Sequence, residues 1–291
     1  MDRAMPEISG YGTIASNLGE IANRGAEISI SSVNLQLPNV NWTTTLTYSH
    51  NHNEIKHLYG NMVDVLDANG NVIGQREDDD VKNGWYIGHG IDEIYDYKFI
   101  GIWQLGEEFE AAKYGKQPGD PRLLDVNGDG KVNEKDKVWL GSRLPKHRMT
   151  FNSNLNLFKC LNFSFTLRGE FDWLGVDNVA RNENNRFFNT SNSRWNEYWT
   201  PWKQSNKYAR LGSNIDSPGV NIYESRNYVR MQNMALSYLF PQKLTRKFNV
   251  ETLRLSVNVD NAFVISGWRH TDPLTNAITP RIWTFGLNLT L

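Results

Sequence analysis

Apolar and polar residues alternate with period two along several separate stretches of the chain. In Glu251 to Asn261, Leu253, Leu255, Val257 and Val259 share one face while Arg254, Ser256, Asn258 and Asp260 share the other. At the end of the sequence, Trp283, Phe285, Leu287, Leu289 and Leu291 alternate with Thr284, Gly286, Asn288 and Thr290. Leu161, Phe163, Phe165 and Leu167 alternate with Asn162, Ser164, Thr166 and Arg168, and Trp42, Thr44, Leu46 and Tyr48 with Thr43, Thr45, Thr47 and Ser49. Successive side chains of a strand point to opposite faces, so these stretches predict strands with one apolar and one polar face. The polar faces carry Asn, Ser, Thr and Arg rather than the Lys/Glu mixture of a sheet facing bulk water, and aromatic residues fall near strand ends. A barrel with lipid outside and a wet lumen inside has this pattern, whereas a soluble β-sandwich predicts the same alternation without the aromatic girdles.

The connections separate the two. FKCLN (Phe158 to Asn162) and LQLPNV (Leu35 to Val40) are short turns, whereas Leu174 to Glu224 and Met62 to Asn83 are long and without sustained period. Long structureless loops are uncommon in compact soluble domains, while outer-membrane barrels join their strands by short periplasmic turns and long extracellular loops in alternation. The expected fold is therefore all-β, a segment of an antiparallel transmembrane barrel. Strands are expected near 20–35, 42–56, 83–89, 94–104, 147–157, 161–173, 226–240, 251–264 and 280–291, about nine in all. The runner-up is a soluble extracellular β-sandwich that binds carbohydrate and holds a structural calcium.

Bulk properties are compatible with this fold. Aromatic residues make up 12% of the 291 residues, and Asn, Thr, Ser and Gly are used heavily, a β-rich profile. The formal net charge of -1 gives no basic face for nucleic acid. The single cysteine, Cys160, cannot form an internal disulfide and has no partner motif for zinc or redox chemistry. A mean hydropathy of -0.56 does not argue against a barrel, because alternation keeps the average polar. No signal peptide opens the sequence MDRAMPEISGYG.

Six segments in order resemble the C-terminal portion of SusC/RagA-type TonB-dependent transporters. They are NRGAEISI (Asn23 to Ile30), YDYKFIGIWQ (Tyr95 to Gln104), DVNGDGKVNEKDKVWLGSRLPKHR (Asp125 to Arg148), YVRMQNMALSYLFP (Tyr228 to Pro241), SVNVDNAFVISGW (Ser256 to Trp268) and the terminal FGLNLTL. The resemblance covers nearly the whole chain, 1–291. It implies an outer-membrane barrel of roughly 22 strands closed by an N-terminal plug. It also implies import of glycans or peptides, a SusD-type surface lipoprotein as partner, and energy delivered by TonB through the N-terminal part. No plug or TonB box is recognisable in these residues, and an open sheet cannot sit in lipid with unpaired edges. The expectation is a C-terminal piece of a larger barrel in the outer membrane. Family members commonly end in an aromatic residue, whereas Leu291 stands last here.

Candidate chemistry centres on DVNGDGKVNEKD. EF-hand ligands come from positions 1, 3, 5, 7, 9 and 12 with Gly at 6. Here those positions are Asp125, Asn127, Asp129, the Lys131 carbonyl, Asn133 and Asp136, with Gly130 at the turn. The shorter Asp at the twelfth position predicts weak, structural calcium binding, on the order of 0.1–1 mM. The alternative is a metal-free turn in which Asx side chains bond their own backbone. Trp195, Tyr198, Trp199 and Trp202 form an aromatic cluster in a long loop, suited either to stacking on a sugar or partner, or to packing the loop on itself. The acidic run Glu77 to Asp80 is a weaker cation candidate, and His50 and His52 are expected in the wet lumen rather than at a metal. No GxSxG, P-loop, HExxH or GxGxxG motif occurs, which leaves an enzyme reading without support.

Overall fold

The computed structural model describes residues 2–4, 13–15, 19–178, 198–213, 219–269 and 271–291. Seven strands form one antiparallel sheet: β1 (Glu20–Leu37), β2 (Val40–His57), β3 (His147–Leu157), β4 (Leu161–Phe171), β5 (Tyr228–Leu239), β6 (Thr252–Ser266) and β7 (Ile282–Thr290). Each strand pairs with its neighbours in sequence, so the sheet is a meander from β1 at one edge to β7 at the other. β3 and β4 are 11 residues long and in full register, the length of a tilted membrane-crossing strand. The β1–β2 hairpin, with 18 residues in each strand, extends beyond them at one end.

All three turns at the opposite end are compact. Pro38 and Asn39 join β1 to β2, and Phe158 to Cys160 join β3 to β4, closed by the Cys160 amide donating to the Leu157 carbonyl. The third carries a short helix, Gln242–Thr245, and ends with Asn249 in the left-handed conformation. The connections after β2, β4 and β6 all leave the sheet at the β2-extension end. Short turns and long connections thus segregate as expected.

The sheet differs from expectation in strand number. It holds seven strands rather than about nine, because 83–104 is not part of the wall. Around 83–89 only an isolated bridge between Asp80 and Trp85 forms. The 94–104 stretch breaks into Glu93–Tyr97, paired with Lys137–Ser142, and Phe99–Ile102, paired with Pro121–Leu123. Gly101, at φ 136, is tight against Asn206 and interrupts the ladder between them. The connector 62–83 is also ordered, as a hairpin of Met62–Leu66 with Val72–Glu77.

Register explains how each wall face stays uniform. Phe165 pairs with Met234 and Thr166 with Asn233, but Leu167 pairs with Met231, leaving Gln232 as an extra residue in β5. β6 answers with its own irregularity around Asn261, at φ 53. A bulge switches side-chain phase by one residue. Met231 and Val229 therefore continue the apolar face of Leu167 and Phe165. Arg230 and Tyr228 return to the polar face beside Arg168 and Glu170, their cross-strand partners.

Burial is inverted relative to a soluble domain. On the wall, Ile30 is 58% exposed, Phe285 75% and Leu287 68%, while most buried hydrophobics, Leu58, Ile94 and Ile102 among them, lie in or beside the long connections; Ile55, Tyr228 and Val259 are the buried ones on described wall strands. Among the described residues no second sheet covers the wall's apolar face; the other sheets have two strands each. The sandwich reading is thereby corrected, since a sandwich buries that face between two sheets. Contiguous exposed apolar surface of this kind marks contact with lipid or a partner. No helix among the described residues is long and apolar enough to cross a membrane, which does not bear on crossing by strands.

Candidate functional site

The two longest connections fold against one another into a small layer with its own core. Ile102, Trp199 and Ala209 form one buried cluster and Tyr208, Val220 and Ile222 another, with Phe99 packing on both. Polar groups bind the same seam. Asp96 accepts hydrogen bonds from the Tyr223 hydroxyl and the Asn221 amide, each at 2.8 Å. Burial, followed by the bond to Asp96, pushes the Tyr223 hydroxyl far above the ordinary phenol range, so it stays a donor. Lys207 reaches Glu224 at 2.5 Å and Asp177 at 3.2 Å. Burial alone would lower its pKa, but the bond to Glu224 and the two nearby carboxylates raise it instead.

Within this layer, Asp125 to Asp136 makes a closed loop. Asp125 accepts from the amides of Gly128 at 2.7 Å and Gly130 at 2.9 Å and from the Tyr114 hydroxyl at 3.1 Å. Asn127 accepts from the Asp129 amide, Asp129 from the Lys131 amide and Asn133 from the Lys135 amide. Asp136, fully buried, accepts from Val126 and Asn133, both at 2.9 Å, and so ties the two ends together. For Asp125 burial pushes the pKa up, but the Gly130, Gly128 and Tyr114 hydrogen bonds outweigh it and the carboxyl lies below its usual range. Gly128 and Gly130 hold φ of 71° and 78°, which the sequence anticipated at Gly130. Among the described residues no group of three or more His, Cys, Asp or Glu is arranged to hold a metal ion. A calcium ion here would have to draw on the Asn127 and Asn133 amides and the Lys131 carbonyl alongside the carboxylates. The loop's shape is already accounted for by protein donors.

The aromatic cluster separates into different environments. Trp195 lies outside the described residues. Tyr198 is half-buried. Trp199 is 6% exposed, donates from Nε1 to Gln104 Oε1 at 2.9 Å, and belongs to the core. Trp202 is 86% exposed, displayed on a turn closed by reciprocal backbone bonds between Thr200 and Lys203. Of the described members only Trp202 is fully available to a partner, and Trp199 packs the loop down.

The acidic run organises backbone. Glu77 accepts from the Leu58 and Gly60 amides, Asp79 from Ile87, and Asp80 from Tyr59 and Asn83. His50 does not lie on the polar face. His50 has the same strand parity as Trp42 and Tyr48, on the apolar side, where it stacks on His147 at 4.7 Å and meets the Lys146 carbonyl at 3.0 Å.

One cluster was not anticipated. On the polar face near the loop end, Glu170 lies against Arg168 at 2.6 Å and Arg148 at 3.8 Å, and Arg230 is held by Asp272 and by Asn261 at 3.2 Å. Strand period and the regular β3–β4 pairing bring Arg168, Glu170 and Arg148 together. The bulge at Gln232 adds Arg230 to that face, and nothing in the local sequence marks it.

No family model matches the chain. It is 27% identical over 293 residues to TonB-dependent receptor P3 of Formosa agariphila, covering 94% of this chain and 27% of that protein. It is also 27% identical over 287 residues to TonB-dependent receptor P26 of the same organism, covering 94% of this chain and 28% of that one. Among solved structures, the RagAB peptide importer in its closed-closed state superposes with a TM-score of 0.70 at 18% identity, over 98% of this chain and 31% of that chain. The RagAB peptide transporter gives 0.67 at 18% identity, with the same coverage. The chain spans less than a third of the length of each. The resemblance to SusC/RagA-type TonB-dependent transporters is borne out, and with it the barrel-type all-β fold and an outer-membrane location. Relatives and neighbours are receptors and transporters, which also bears out the non-enzyme reading.

Proposed function

We propose that this chain is the C-terminal wall of a TonB-dependent outer-membrane transporter that imports glycans or other nutrients, peptides among them. The observation that carries this reading is the seven-strand meander, apolar on one face and polar on the other, with long connections at one end and, among the described residues, an edge strand without a further partner on each side. Unpaired edge backbone is costly in lipid, so β1 and β7 require further strands of the same barrel. The N-terminal remainder would supply those strands, the plug and the contact with TonB. A surface lipoprotein of the SusD type would meet the layer formed by 58–146 and the described parts of 172–227, where Trp202 is the most exposed aromatic side chain. RagAB, the superposing structure, is a peptide importer, which supports transport without choosing between peptide and glycan here.

The test is the full-length protein that carries this segment. It should extract only with detergent, migrate faster on electrophoresis before boiling than after, and restore uptake of the nutrient in a deletion strain. Detergent-free solubility as a monomer with cooperative unfolding would overturn the reading.

Calcium in the Asp125–Asp136 loop is the second part of the proposal. The EF-hand spacing of the loop supports it. Residues Asp125, Asn127, Asp129, Asn133, Asp136 and the Lys131 carbonyl would hold the ion, whose task is structural. Calcium should protect the loop near Gly130 from protease in the parent and not in the Asp125→Ala/Asp129→Ala double variant. Equal protection in both would leave the metal-free turn.

A further inference from the structure

The compact-turn end of the wall carries a band of basic and apolar side chains. Across the turns 38–39, 158–160 and 240–251 stand four basic side chains, Lys159, Lys243, Arg246 and Lys247, against one acidic side chain, Glu251. This local excess of positive charge sits on a chain whose net charge is -1. All four basic residues are exposed, and none forms an ion pair with a described residue. The same turns leave large apolar side chains outside. Leu244 is 52% exposed, Phe248 79% and, in the neighbouring turn, Phe158 66%, so none of the three packs into a core of the turn itself.

The backbone that presents these side chains is ordered. The Leu244 amide donates to the Pro241 carbonyl at 2.9 Å and the Val250 amide to the Thr245 carbonyl at 3.2 Å, with Thr245 buried beneath the turn. The Leu239 amide donates to the Cys160 carbonyl at 2.7 Å, which sets the β3–β4 turn and its Lys159 beside the β5–β6 turn. The Glu251 amide donates to the Thr290 carbonyl at 2.8 Å and ties the other side of the turn to β7. Next to the band, Tyr238 and Phe240 pack edge to face with centroids 5.0 Å apart, and Tyr238 shares the apolar face of β5 with Leu236. An apolar wall, then an aromatic rim, then cations beside exposed Leu and Phe follows the order of acyl chains, interface and phosphates in a bilayer leaflet.

We propose that this turn end binds an anionic phospholipid of the periplasmic leaflet, with Lys243, Arg246 and Lys247 meeting the headgroup phosphate and Leu244 and Phe248 reaching the acyl region. Lys159 adds a fourth cation from the β3–β4 turn. The assignment rests on the transporter reading, because that reading puts the compact turns on the periplasmic side of the bilayer, and it goes further by naming the lipid class that the wall selects. The exposed apolar side chains favour a lipid over the anionic polymer of the cell wall. Such a polymer would meet the cations but offer Leu244 and Phe248 no hydrocarbon to enter.

The experiment is native mass spectrometry of the detergent-solubilised full-length protein titrated with dioleoylphosphatidylglycerol or dioleoylphosphatidylcholine, which share their acyl chains and differ in net charge. The anionic lipid should bind at least about tenfold more tightly. The K243Q/R246Q/K247Q variant should lose that preference while keeping the electrophoretic mobility of the folded barrel. The K82Q/K135Q/K203Q variant, which neutralises three exposed lysines at the opposite end, should keep the preference. Phe248→Ala should weaken both lipids alike. Equal affinity for the two lipids, an unchanged preference in the turn variant, the same loss in the opposite-end variant, or unchanged binding in Phe248→Ala would overturn the assignment. Equal lipid affinities together with co-sedimentation on isolated sacculi that the turn variant loses would give the patch to the cell wall instead. None of these results depends on uptake, so a protein that restores nutrient import without a lipid preference sinks the lipid site alone. A protein that is soluble and monomeric without detergent sinks the transporter reading and the lipid site together.

Discussion

Arg230 on β5 and Asp272 in the connection 267–281 form an ion pair in which both side chains are almost completely buried, 6% and 5% exposed. The pair exists because the bulge at Gln232 places Arg230 on the polar face, where the returning connection can reach it. Asp272 also accepts from the amides of Leu274 at 2.9 Å and Thr275 at 3.2 Å. Asp272→Ala leaves the guanidinium buried with Asn261 and the Tyr228 ring but without a counter-charge from Asp272, and breaking a buried pair on one side costs about 3 kcal/mol. The expected outcome is a lower urea midpoint for the barrel in detergent and faster amide exchange across 271–279.

The same pair predicts a pH dependence. Burial pushes the Asp272 carboxyl up, but Arg230 and the Thr275 and Leu274 amides outweigh it, so the pKa lies below the ordinary 3.8. A depressed carboxylate contributes stability that is present above the unfolded pKa and lost as pH falls through the folded value. Exchange protection of 271–279 should therefore be flat from neutral pH down past 4 and fall only below about 3.8. The Asp272→Asn variant should show low protection across the range and no such fall.

Trp199 and Trp202, three residues apart, should behave as opposites. Trp199→Ala removes a core indole, a change that costs about 3–5 kcal/mol, and should expose 198–213 to protease. Trp202→Ala touches an exposed ring and should change stability by less than about 0.5 kcal/mol. A methyl group at Gly119 would stand 2.6 Å from the Trp199 ring at a φ of 90°, so Gly119→Ala should resemble Trp199→Ala. Limited proteolysis of the three variants in parallel checks all of this, and an intact Trp199→Ala layer would contradict it.

Those two tryptophans also show where sequence reasoning stopped. The wall strands were legible because alternation is a local signal: Leu253 to Val259 and Trp283 to Leu289 state their own faces. The Asp125–Asp136 loop was legible for the same reason, since its Asx bonds span two to five residues apart from the Val126 to Asp136 closure. Trp199 is a core residue only because Ile102 and Gly119 come from another connection. The 94–104 stretch has strand composition, but its partners are 137–142 and 121–123 rather than the wall, and pairing choice is not written in period.

The β3–β4 turn offers a gain rather than a loss. Phe158 and Lys159 both hold positive φ, 52° and 60°, although neither is glycine. The left-handed conformation costs a side-chain-bearing residue roughly 1–2 kcal/mol. Lys159→Gly should therefore raise the barrel's urea midpoint by the equivalent of about 1 kcal/mol without altering its electrophoretic mobility.

Deleting Gln232 tests what the extra residue does for the wall. Without it the ladder with β4 becomes regular, because Asn233 still meets Thr166 and Met231 still meets Leu167, so Arg230 and Tyr228 keep the polar face. The mismatch falls on the other neighbour, where Asn261 and Ala262 of β6 would lose the residue that now lies between the pairs Asn233↔Asp260 and Met231↔Phe263. The deletion should therefore still give heat-modifiable barrel, with faster amide exchange confined to the β5–β6 ladder around Asp260 to Phe263. Gln232→Ala, which keeps the bulge and changes only the side chain, should assemble and exchange like the parent. A sharp loss of barrel in the deletion would mean that β5 cannot hold its pairing to β4 without the extra residue.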